Sequence, residues 1–344
     1  MRLTNRHKRI NIRQLLRGAE IGTMQQVGVM QVIPLLSDLE HHDVAYPDEL
    51  EVNTQTYGHL RFDNPSHDLA IIPAHAAYVV KQRAQDHAMT HAGIVKGKAR
   101  QDFKSAVCIQ QTQGGYISTG KLRMGILPFS IRESAWSKRN GTEYGRLWPE
   151  ISAFNRRMGC SAQGHLEYFL ETYKKELDQF VAEFELVPRQ VGAIVLIDHQ
   201  VVGIERAPNH AYMAKYWQPM IREGYGSLAL EYQLQLKSRN ALPKVKVPFP
   251  TGAKSLQALK RTLASVNRQE AEMAREVVRK LVEDPFQVKR EDVQGSYALW
   301  TLDHRQFIGQ MVVHEETPIY FSLIVKGTWA HAQARFEEAA EFSI

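Results

Sequence analysis

The chain has 344 residues, 44% of them hydrophobic, with two cysteines and a formal net charge of +6. A chain of this length buries one large core or two ordinary ones. It offers no run of about 18 apolar residues to cross a bilayer and no secretory signal at its start. Cys108 and Cys160 form no CxxC pair, which excludes a disulfide framework and a thiolate zinc site, so a cytoplasmic protein with both thiols reduced is expected.

The charge is unevenly placed. Arg2, Arg6, Lys8, Arg9, Arg13 and Arg17 all precede the first acid, Glu20, and the remaining 37 Lys and Arg equal the 37 Asp and Glu. Residues 1–18 therefore read as a basic arm suited to nucleic acid phosphates, an anionic surface or an acidic patch on a neighbouring copy. A solvated arm with no partner is the alternative. Met24 to Leu36 reads as a strand stopped by Pro34. An acidic region follows, with Glu40, Asp43, Asp48, Glu49, Glu51, Asp63 and Asp68 against Arg61 alone, and it is a possible receiver of the arm. Short strands are predicted at 50–54, 58–62 and 68–72.

Ala77 to Gln82 reads as a buried strand delivering Lys81 and Gln82. The stretch from Lys81 to Tyr116 then mixes basic, acidic, imidazole and amide groups without a packing period, and it is the best candidate for a site. Ser105 to Thr112 alternates as a strand, and Tyr116 to Ile131 is predicted as a further strand pair after Gly114 and Gly115. Helices are predicted over 143–158 and 165–184. The apolar runs VGAIVLI and VVGI, around Asp198, His199 and Gln200, predict a buried hairpin. A helix capped by Asn209 follows and is expected to end at Gly224 and Gly226. Residues 237–254 form a basic, proline-rich connector. A long helix from about Ser255, a three-stranded antiparallel meander and a closing helix over 329–342 complete the chain. The fold class is α+β, β-rich in the first half, with 19–236 as one domain and 255–344 as a C-terminal subdomain.

Three chemistries compete in the central stretch. His87 and His91, four apart, would share a helical face and could hold zinc with Asp86, but the tetrad HAMTH lacks the glutamate of HExxH. Core histidines with ordinary hydrogen bonds are the simpler reading, and no metal is assigned. Cys108 sits between apolar neighbours, which makes a thiol inert. No GxSxG, GxGxxG or GxxxxGK[ST] is present. What remains is the amide-rich strand end Gln110, Gln111, Thr112 and Gln113, suited to a neutral polar group such as a base or a ribose, or else a solvated edge strand.

VVKQ followed by RAQDHAMTHAGIV, the Trp148 helix, and the block from QVGAIVLIDHQVVGIERAPN to GYGSLAL together resemble the ARPP-type domain associated with ADP-ribosylglycohydrolases and rhodanese/phosphatase proteins. The likeness covers about residues 25–235. Lys81, Gln82 and Arg83 match its strand end, Gly203 and Glu205 its hairpin, and Trp217 with Tyr225 its helix. Asp86 and His87 stand where that pattern has an Asn, and Gly224-Tyr225-Gly226 replaces its Ser-Tyr-Ala. The resemblance implies a setting in NAD-derivative or ADP-ribose metabolism and supplies no catalytic residues. Joined to the reading of the residues, it assigns Lys81 and Arg83 to a phosphate, with Gln82 beside them, and Gln110 and Gln113 to a base or ribose. Asp86 and His87 are assigned to orienting a hydroxyl or acting as a base. The cofactor is left open, and so is whether a bond is broken. The rival reading is a self-assembling or nucleic-acid-binding protein that uses Arg2, Arg6, Lys8, Arg9, Arg13 and Arg17.

Overall fold

A computed structural model describes residues 10–39, 41, 43–79, 85–112, 114–116, 123–238, 255–281 and 284–327, without the side chains of 55, 256, 258, 259 and 261–263. Lys81, Gln82, Arg83 and Gln113, the arm residues Arg2, Arg6, Lys8 and Arg9, the connector from 239 to 254 and the closing helix over 329–342 lie outside the described residues.

The hairpin Gln190–Ile197 and Gln200–Arg206 is the centre of a nine-stranded antiparallel sheet. On one side Gln190–Ile197 pairs with Met30–Leu36, which carries the short strands Glu20–Ile21 and Gln25–Val27 on its other edge. On the other side Gln200–Arg206 pairs with Thr317–Val325, and the meander continues through Phe307–His314 and Tyr297–Asp303 to Gln287–Gln294. Both faces are covered, which is why the hairpin is apolar at successive residues. Ala193, Val195 and Ile197 enter the larger core, and Ile194 and Leu196 enter a second one. The second core also takes Ile10, Ile12, Leu15 and Leu16, so the chain from Ile10 onward is anchored in the fold.

Three small sheets and most of the helices pack on the larger core. Gly93–Val95, Leu69–Ile72 and Val44–Ala45 form one sheet, and Arg100–Phe103, His59–Asp63 and Glu51–Thr56 another. The third has the order Val107–Cys108, His87–Ala88, Ala76–Val79, Arg123–Ile126, and it carries the candidate site. The helices are Phe129–Ser137, Trp148–Arg157, Glu167–Thr172, Lys174–Glu183, His210–Pro219 and Gly226–Ser238, followed by Leu256–Lys280 over the second core. The fold is α+β. No helix among the described residues is long and apolar enough to cross a membrane.

Several elements differ from the sequence expectation for physical reasons. Pro34 does not stop its strand, because it falls between the two short partner strands, where pairing on that edge is interrupted. Residues after Pro128 form a helix, not a second strand, because proline presets a helical entry. The meander has a fourth strand, Gln287–Gln294, whose sequence QVKREDVQ hides it: an exposed edge strand needs no apolar alternation. The helix expected over 165–184 is two, broken at Tyr173. Gly224 and Gly226 do not end the helix begun at Asn209. The chain passes through a π-helical turn, Met220–Tyr225, directly into Gly226–Ser238.

Two glycines show how closely the central sheet is packed. A Cβ on Gly309 would lie 1.9 Å from the backbone oxygen of Ser322, and one on Gly192 would lie 2.3 Å from that of Glu205. Backbone cannot swing aside as a long side chain can. Gly309→Ala is expected to lower stability by about 1–3 kcal/mol, measured as a fall in the urea midpoint at unchanged slope.

Candidate functional site

The register of the four-stranded sheet arranges the site. Cys108, His87, Tyr78 and Met124 lie abreast in one row, and the next row at the same end contains Val79 opposite Arg123. Asp86, one residue before His87, falls in that second row, so Asp86 and Arg123 belong to one face and stand two strand spacings apart, about 10 Å. Lys81, Gln82 and Arg83 follow Val79 in the chain but lie outside the described residues.

Asp86 and Gln110 are brought together. The Asp86 N–H donates to Oε1 of Gln110 at 3.1 Å, and the Ile109 N–H donates to the Asp86 carbonyl at 2.9 Å. Nε2 of Gln110 lies 3.2 Å from Nε2 of His165 and donates to Oε2 of Glu167 at 3.4 Å, and Thr112 Oγ1 lies 2.8 Å from His165 Nδ1. His165 and Glu167 are thus part of the group, although neither stood out in the sequence. Both lie at a helix entry some 55 residues away, brought in by the pairing of Gln110 with His165 and the bonds around it. Beside this group is an aromatic surface. Tyr57 stacks on Tyr116 at 5.0 Å and leans on Tyr144 at 5.2 Å, with Tyr116 55% and Tyr144 36% exposed. Gly115 ties this surface to the site: its N–H donates to Tyr57 Oη, and its carbonyl accepts from the N–H of Gln85.

His87 is placed differently. It lies in a strand, so its spacing to His91 does not put the two rings on one helical face. Nε2 accepts from the Gly58 N–H at 3.3 Å, which leaves Nδ1 to donate to the Gln85 carbonyl at 2.9 Å. His91 bonds Ser105 Oγ and the carbonyl of Ala92. Burial lowers the His87 pKa to about 4, so the ring is neutral at pH 7. Cys108 is a free buried thiol, pushed up to about 11 by burial. Among the described residues no group of three or more His, Cys, Asp or Glu is placed to hold a metal ion.

Behind the sheet end is a buried charged centre. Arg132 is fully buried, its Nη1 is 3.5 Å from Oε1 of Glu205, and its Nε donates to the Leu127 carbonyl at 2.9 Å. Tyr225 Oη donates to the same Glu205 oxygen at 2.7 Å, and its ring lies 4.9 Å beneath the guanidinium. Two glycines make the room. A Cβ on Gly203 would be 2.0 Å from Tyr225 Oη, and one on Gly224 would be 2.3 Å from Nη2 of Arg132. Gly203, Glu205 and Tyr225, matched singly to the family pattern, therefore meet in one contact set. Burial raises the Glu205 pKa, while Arg132 and the Tyr225, Ser322 and Tyr216 hydroxyls pull it back down. Burial likewise holds His75, with Arg132 and His91 near it, well below its ordinary value.

Two outcomes follow from these burials. Arg132→Met leaves a carboxylate in the core without its cation, and it is expected to cost about 3–5 kcal/mol at pH 7.5. Because the folded state holds the Glu205 proton more tightly than the unfolded chain does, that penalty shrinks at pH 5; equilibrium unfolding at the two pH values reads it. For His87 the folded pKa is depressed, so its contribution is present above about pH 6.5 and is lost as the pH falls toward 4. His87→Gln is expected to flatten the acid limb of the stability profile in that window, measured by urea unfolding across pH 4–7.

No curated protein and no solved structure matches the chain. A family model does, that of the ARG and Rhodanese-Phosphatase-superfamily-associated Protein domain, over residues 18–324. The match takes in the hairpin, the buried centre and the whole meander, and by it the chain belongs to the ARPP-1 family.

Proposed function

We propose that the chain binds a nucleotide of the NAD-derived or ADP-ribose type at the end of the four-stranded sheet that carries Asp86 and Arg123. The observation that carries this reading is the joining of an exposed tyrosine stack, Tyr57–Tyr116–Tyr144, to a row containing the carboxylate of Asp86 and the guanidinium of Arg123. Flat aromatic faces stack on bases without regard to sequence. Guanidinium groups match phosphate, and carboxylates accept from sugar hydroxyls. Gln110 is buried with its amide bonded to the Asp86 N–H and to Glu167, so it supports Asp86 at this end of the sheet. Lys81, Gln82, Arg83 and Gln113 are assigned to this ligand by their position in the chain. Asp86, not the neutral and fully bonded His87, is the group suited to orienting a hydroxyl. The family's association with ADP-ribosylglycohydrolases and the rhodanese/phosphatase superfamily supports this ligand class.

Self-assembly or nucleic acid binding through the basic arm is the second reading. Since Ile10, Ile12, Leu15 and Leu16 are core residues, its test is deletion of residues 1–9, followed by light scattering and by oligonucleotide retention against salt. Titration calorimetry with ADP-ribose and NAD tests the first. Saturable binding is expected, with Tyr116→Ala weakening it by about 5- to 100-fold, as loss of a stacked base would, and Asp86→Ala also weakening it. Absence of heat at high micromolar ligand, or an affinity indifferent to both changes, would overturn the reading.

A further inference from the structure

The π-helical turn Met220–Tyr225 presents a carboxylate to the same face of the sheet. Such turns are rare, open the helix by one residue and concentrate at functional sites. Here the turn has an identifiable origin. Pro219 precedes it, the Gly226 N–H reaches back five residues to the Ile221 carbonyl, and Gly226 has no side chain to strike that oxygen, which a Cβ would approach to 2.6 Å. The turn is then fixed from behind by Tyr225 on Glu205 and by Arg132 against Gly224.

Glu223 lies on this turn and is 2% exposed. Both of its charge partners hold the same oxygen: Arg123 Nη1 and Arg222 Nη1, the latter at 2.6 Å, donate to Oε1. Oε2 is buried without a hydrogen-bond partner. It lies over Gly125, where a Cβ would come within 3.0 Å of it, so the missing side chain is what lets the carboxylate lie close against the strand. By register Gly125 is on the same face as Arg123, which places the bare carboxylate oxygen next to a half-exposed guanidinium. A buried acceptor left unmatched is costly, and a carboxylate has no proton with which to satisfy another acceptor. The groups that match it are hydroxyl or N–H donors carried by a ligand whose anionic part faces Arg123.

We propose that Glu223 is a ligand-contacting residue whose Oε2 accepts from a sugar hydroxyl of a phosphorylated ribose, with Arg123 facing the phosphate and Gly125 letting the carboxylate sit close against the strand. This assignment rests on the nucleotide reading of the sheet end and names the part of the ligand that is read there. The Arg132–Glu205–Tyr225 set acts through the turn as a positioning group.

Calorimetric titration of the full chain with ribose 5-phosphate and with 2-deoxyribose 5-phosphate tests it without the base. The wild type is expected to prefer the hydroxylated sugar by about tenfold or more, the worth of one hydrogen bond to a charged group. Glu223→Gln is expected to lose most of that preference. Gly125→Ala, whose methyl group would press on Oε2 and shift the carboxylate without removing it, is expected to lose it as well, and it carries the test should Glu223→Gln fail to fold. Equal affinity of the wild type for both sugars, or an undiminished preference in the folded variants, would overturn the role of Glu223. Tight ADP-ribose binding unaffected by either variant would leave the nucleotide reading standing and remove Glu223 from it. A Glu223-dependent sugar preference with ADP-ribose bound no better than ribose 5-phosphate would do the reverse.

Discussion

One buried ion pair, Arg132 with Glu205, joins the parts of this molecule that matter most. Arg132 comes from the helix after the four-stranded sheet, Glu205 from the central hairpin, and Tyr225, which bonds the one and stacks on the other, from the π-turn. Removing these charges from water is expensive, and a well-packed apolar trio in their place would commonly be no less stable. The pair supplies geometry instead. A guanidinium with fixed donors and a carboxylate with fixed acceptors allow few relative placements of sheet, helix and turn, and the glycines at 203 and 224 hold open the one that is used.

This arrangement also separates two kinds of chemistry along one sheet. Toward the interior, tyrosine hydroxyls and the carboxylate are pinned to one another, and burial pushes Tyr216 and Tyr225 far above the ordinary phenol range. Toward the end that carries Asp86 and Arg123, the groups are amides, carboxylates and a half-exposed arginine, with tyrosine faces beside them. Asp86, Gln110 and Glu223 are themselves buried, so the reachable groups are Arg123 and the tyrosine faces, set on rigid support.

Much of the fold could be read from the sequence because its strongest signals are local. The runs VGAIVLI and VVGI are apolar at every step, which only a strand covered on both faces explains, and Asn209 caps its helix through the Tyr212 N–H as its residue type suggests. What escaped was carried by long-range packing. Gly224 and Gly226 have the composition of a helix end, and only the positions of Arg132 and Phe180 explain why the helix continues past them. Arg132 and Glu223 gave no local sign, since an arginine in a helix and a glutamate after an arginine are ordinary surface patterns. Asp86 stood out in a stretch of mixed polar groups without a packing period and Gln110 at an amide-rich strand end, whereas His165 and Glu167 sit at a helix entry, where such residues are expected anyway.

The central hairpin has a consequence for how the chain is made. Its second strand, Gln200–Arg206, takes as its far neighbour Thr317–Val325, more than 110 residues later. During synthesis the strand emerges with one edge satisfied by Gln190–Ile197 and the other bare until Thr317–Val325 has been made. An apolar strand with an unpaired edge is a template for another chain. The nascent chain that ends anywhere between residues 206 and 317 is therefore expected to be the aggregation-prone species, and truncation before residue 317 is expected to leave that edge exposed.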